Sequence, residues 1–130
     1  MCGYSSYNAN MTQKIPVESL QCARIVVDIA SDYQASDIVM LDISQVSQFA
    51  DFFVILTAES SRQIETLFEN IKDGLKRIGV ILHHRDGSSQ AGWVLLDFGD
   101  VIVHFFGPEE REFYQIEGAW PKATEVVRIQ

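Results

Sequence analysis

Residues 91 to 106 read AGWVLLDFGDVIVHFF, a ribbon that is apolar apart from two aspartates, one histidine and two glycines. This stretch constrains the fold more than any other. A run so rich in β-branched and aromatic residues, broken once by Asp-Phe-Gly-Asp, predicts two strands joined by a tight reversal. With Phe98 and Gly99 as the central turn residues, Gly99 supplies the positive φ that hairpin turns require, and the register follows. Asp97 then faces Asp100, Leu95 faces Ile102, and Trp93 faces His104. Because strand side chains alternate, Trp93, Leu95, Asp97, Asp100, Ile102 and His104 are expected on one face. Val94, Leu96, Val101, Val103 and Phe105 fall on the other, which is wholly apolar and must be core. The first face sets two carboxylates opposite each other, which costs stability by like-charge repulsion. Two explanations stand. Either one aspartate caps the turn amides, the other is hydrated and a helix covers Trp93, or the face is an interface with an indole anchor and charged edges that a basic partner neutralises.

Around the ribbon, periodicity predicts a helix over 15–33, with Leu20, Ala23, Val27 and Ala30 on one stripe, Val26, Ile29 and Tyr33 beside it, and Pro16 in the first turn. Short β-rich runs follow at 36–42 and 51–57. A second helix is marked by Ile64, Leu67, Phe68, Ile71, Leu75 and Ile78 at three- and four-residue steps, a Ser60–Gln63 capping box and a closing Gly79. VILHH (80–84) reads as a strand, RDGSSQAG as a loop, and Pro108 with its acids starts a short third helix. The order gives an α/β fold: a mixed β-sheet of about five strands with flanking helices. One domain over 15–120 is expected, preceded by a flexible leader (1–14) and followed by a C-terminal tail (121–130).

Charge narrows the partners. A formal net charge of −8 repels phosphate backbones, which argues against direct DNA binding and for a basic protein partner. No run reaches the ~18 apolar residues of a membrane-spanning helix. The two cysteines are too few for a disulfide framework, so a cytoplasmic setting is expected, with Cys22 a buried thiol acting as a small hydrophobe. His83 and His84 point to opposite faces if they lie on a strand, and no paired zinc spacing accompanies them. Asp97 and Asp100 lack a glycine-rich phosphate cradle, and the DFG here is without the other kinase segments. Ser60 and Ser61 are accounted for by helix capping. No metal, cofactor or catalytic residue is therefore expected.

The segments DISQVSQFADFFVILTAESSRQIETL, GWVLLDFGDVIVHFF and REFYQIEGAW together closely resemble the ribosomal silencing factor family, also called the Iojap family. The likeness runs from about Ser36 to Trp120. It implies a protein that binds the large ribosomal subunit through its fourteenth large-subunit protein and sterically blocks joining of the small subunit, repressing translation when nutrients run short. It also implies a homodimer when free, and a fold similar to nucleotidyltransferases without their catalytic residues. Those enzymes carry a Gly-Ser pair after a strand and two acids one residue apart. Here the corresponding stretch is TAESSR, and Asp97 and Asp100 are two residues apart. A nucleotidyltransferase-like enzyme that retains metal-dependent activity is the alternative. The family's partner surface carries over to Trp93, Asp97, Asp100 and His104, to which the register adds Leu95 and Ile102. Arg111 and Tyr114 match the C-terminal signature, either touching the partner or bracing the hairpin.

Overall fold

The computed structural model describes residues 18–114 and 124–129. The expected leader lies outside them. In chain order the elements are α1 (Ser19–Asp32), β1 (Ser36–Asp42), β2 (Phe52–Thr57), α2 (Ser61–Lys76), β3 (His84–Ser88), β4 (Trp93–Asp97), β5 (Val101–Phe106), α3 (Pro108–Tyr114) and β6 (Thr124–Ile129). The strands form one mixed sheet in the order β3-β4-β5-β2-β1-β6. β2 and β5 run parallel, and the other neighbours are antiparallel.

Both long helices pack on the same side of the sheet. α1 buries Cys22, Ala23, Val26, Val27 and Ala30, and α2 buries Ile64, Leu67, Ile71 and Leu75. These meet Ile38, Met40, Val54, Leu56, Val94, Leu96, Phe98, Val101, Val103 and Phe105 from the strands. Of the expected α1 stripe, Ala23, Val27 and Ala30 are buried, with Val26 and Cys22 beside them, whereas Leu20 and Tyr33 at the two ends are exposed. Cys22 is disulfide-bonded rather than a free thiol. α2 begins as its capping pattern predicts, since the Gln63 N–H donates to Ser60 Oγ at 3.1 Å. The Gln63 side chain reaches one residue further back than a standard capping box, accepting from the Glu59 N–H at 2.6 Å.

The strands depart from expectation at three further places. The first is the hairpin turn. Phe98 donates its N–H to the Val101 carbonyl at 3.0 Å, so the central turn residues are Gly99 and Asp100, one step later than expected. Phe98 is fully buried beside Val94 and Leu96. Burying a phenylalanine is worth roughly 2–3 kcal/mol, a gain that a turn-tip position would forfeit. Gly99 still supplies the positive φ, at 95°. The second is β3, which is His84–Ser88, whereas 80–83 is not a strand. Val80 is drawn into the core at the end of α2, and an exposed edge strand needs no apolar alternation to announce it. The third is the tail, which supplies β6 against β1, so the sheet has six strands.

A half-buried sheet face with an acidic end

The revised turn shifts every cross-strand pair: Trp93 lies opposite Phe106, Leu95 opposite His104, and Asp97 opposite Ile102. The expected Asp97–Asp100 pairing is therefore absent, and with it the repulsion inferred from it. The displacement is by an even number of residues, so face membership is preserved for the strand residues, while Asp100 moves off the face into the turn. Trp93, Leu95, Asp97, Ile102 and His104 still share the face turned away from α1 and α2.

The neighbouring strands complete this face in three rows. Asp97, Ile102, Phe53 and Leu41 form one, and Leu95, His104, Ile55 and Val39 the next. Trp93, Phe106 and Thr57 form the third. A second apolar cluster occupies it: Val39, Leu41, Ile43, Ala50, Ile55 and Phe106 are buried, with Val46, Phe53, Trp93 and Ile102 partly buried against them. Trp93 lies close over Gly87 of β3, whose φ is +84°. A Cβ there would come within 2.6 Å of the indole Cε3.

The polar residues divide by role. Asp97 Oδ1 accepts the Gly99 N–H at 2.7 Å, capping the turn. The Asp100 carbonyl accepts from the N–H groups of Asp51 at 2.8 Å and Phe52 at 3.1 Å, tying the turn to the start of β2. Asp100 also lines, with Glu18, Ser19, Leu20, Ser44, Asp51 and Phe52, an acidic groove of about 490 Å³.

His104 is not open to a partner as expected: it is 5% exposed. Phe53 meets it edge-on with ring centroids 5.0 Å apart, and Phe106 lies parallel to it at 6.1 Å. Neither ring nitrogen has a hydrogen-bond partner among the described residues. Burial lowers its pKa from 6.5 to about 4, so the imidazole is neutral at physiological pH. Arg111 is likewise buried, its Nη1 donating to Thr57 Oγ1 at 3.0 Å, which makes it a brace between α3 and β2 rather than an offered cation. The Tyr114 side chain lies outside the described residues, as does Trp120.

Several members of this face escape the sequence. Phe106 sits at the parity of His104, and extending the alternation two residues finds it. Phe53 and Ile55 join only because β2 pairs with β5 across a long stretch of chain, which no local pattern signals. Among the described residues, no group of three or more His, Cys, Asp or Glu could hold a metal ion. No helix of the described residues is long and apolar enough to cross a membrane.

Comparison with known proteins places this arrangement in a family. A family model described as ribosomal silencing factor during starvation matches residues 16–130. The ribosomal silencing factor RsfS of Bacillus subtilis is 36% identical over 100 residues, covering 77% of this chain and 85% of that protein. The chloroplastic protein Iojap of Zea mays is 36% identical over 110 residues, 84% of this chain and 47% of the longer plant protein. A crystal structure of a protein from Chromobacterium violaceum superposes with a TM-score of 0.76 at 30% identity, covering 85% of this chain and 94% of that one. With the family model spanning nearly the whole sequence and bacterial relatives sharing a third of its residues, the chain belongs to the ribosomal silencing factor family.

Proposed function

We propose that this chain is a non-enzymatic silencing factor of the cytoplasm that binds the large ribosomal subunit through a basic ribosomal protein, the fourteenth of that subunit. The bulk of the domain then occupies space that the small subunit needs, and translation falls when nutrients are short. Family membership over residues 16–130 carries this reading. The face itself supports it. Partly exposed Trp93, Leu95 and Ile102, edged by Asp97 and the Asp100 turn, combine an aromatic anchor with negative charge. A net charge of −8 favours encounter with a basic protein. When no ribosome is present the chain forms a homodimer, and solution mass with and without the large subunit tests it.

The test is sedimentation of the chain with purified large subunits, small subunits and their mixture. Cosedimentation with large subunits alone, together with fewer joined particles, is the expected result. Trp93→Ala is expected to weaken binding by roughly 2 kcal/mol, about thirtyfold. If a folded protein carrying both Trp93→Ala and Asp97→Lys still pulls down large subunits, the face is the wrong one.

A further inference from the structure

The β1–β2 connection, residues 43–51, is held by its own hydrogen bonds. The N–H groups of Val46 and Ser47 donate to the Ile43 carbonyl, the Ile43 N–H donates to the Asp51 carbonyl, and the Phe49 N–H donates to Ser47 Oγ. Ile43 and Ala50 are buried in the second apolar cluster, with Val46 packed against it. The loop is thereby fixed to the margin of the Trp93 face, yet Phe49 is 89% exposed. Every other large exposed hydrophobic among the described residues keeps a third or more of its surface covered. A phenylalanine held on a hydrogen-bonded loop, with its ring in water, is a rigid aromatic anchor without its pocket.

Its setting indicates the occupant. The hydrogen bonds from Asp51 and Phe52 to the Asp100 carbonyl place this loop beside the hairpin turn. The carboxylates of Asp42, Asp51, Asp97 and Asp100 thus belong to one end of the sheet, and the loop contributes no base among them. A second copy of the chain would bring an equal charge of −8 against this end, whereas a basic protein surface would be attracted to it. We infer that Phe49 is a second anchor for the basic protein partner, inserting into an apolar pocket of that partner whose rim carries lysine or arginine. The inference rests on the ribosomal reading, and it extends the docking surface from the Trp93 rows onto the β1–β2 loop.

The experiment measures the affinity and dissociation rate of the full chain, Phe49→Ala and Phe49→Asp on purified large subunits, with solution mass recorded for each. Because the ring is exposed, both variants are expected to keep a melting temperature within about 3 °C of the parent. The expected result is an affinity loss of about tenfold or more, located in faster dissociation and persisting at high salt. Equal binding by parent and variants overturns the anchor alone. No binding by the parent overturns the ribosomal reading, and the anchor with it. Unchanged ribosome binding accompanied by loss of a dimer assigns Phe49 to self-association and refutes the partner named here.

Discussion

Replacing His104 with phenylalanine is expected to change how stability depends on pH. The imidazole is 5% exposed and has no hydrogen-bond partner among the described residues, and burial holds its pKa at about 4. In the unfolded chain it titrates near the ordinary value of about 6.5. The folded state therefore binds this proton less readily than the unfolded state does. The stability at stake is complete above about pH 6.5 and is lost as pH falls from there toward 4. At about 1.36 kcal/mol per pH unit, the loss is about 1 kcal/mol at pH 5.5 and about 3 kcal/mol below pH 4. Phenylalanine is apolar and aromatic like its neighbours Phe53 and Phe106 and has no proton to gain. Subtracting urea-derived unfolding free energies of the parent from those of His104→Phe, pH by pH, cancels the other titrating groups. The difference is expected to move in favour of the variant by about 1 kcal/mol between pH 7.5 and 5.5. A difference that stays flat would refute the burial of a neutral imidazole. One that moves toward the parent on acidification would mean that the imidazolium has an acceptor inside the fold.

Ser60→Ala is expected to cost about 1 kcal/mol in urea unfolding, because Ser60 Oγ accepts the Gln63 N–H at the start of α2. Ser61→Ala, one residue into the helix and exposed, is expected to change stability by less than about 0.5 kcal/mol, and equal losses would contradict the cap assignment. Gly87→Ala imposes a side chain on a residue at φ +84° and drives it into the indole of Trp93. It is expected to cost roughly 2 kcal/mol or more and to alter intrinsic fluorescence, whereas an unperturbed spectrum would mean that the indole does not lie over β3.

Much of the fold is legible in local pattern. α2 is announced by a full helical period and a cap, and β1, β2, β4 and β5 by dense β-branched and aromatic runs. β3 and β6 are not. Both are edge strands, exposed along most of their length, and the hydrogen bonds that define them come from β4 and β1. Edge pairing asks little of side chains, so composition carries no trace of it. The turn is instructive in a different way. A glycine preceded by phenylalanine suits either of two adjacent reversals, and only the space available to Phe98 beneath α1 and α2 selects the later one.

For the candidate site, the sequence by itself determined which hairpin residues share a face, because strand alternation depends on parity and an even shift of register leaves parity unchanged. It also determined the negative charge that suits a basic partner. Only the tertiary structure decided which of those residues reach solvent. The parallel pairing of β2 with β5 brings Phe53 edge-on to His104, Phe106 two residues along β5 lies parallel to it, and the imidazole that alternation puts on the open face is buried. α3 sets Arg111 on Thr57, which local pattern could not decide. The same folding leaves Phe49 in water. Alternation is a property of one strand, whereas burial is a property of everything packed against it.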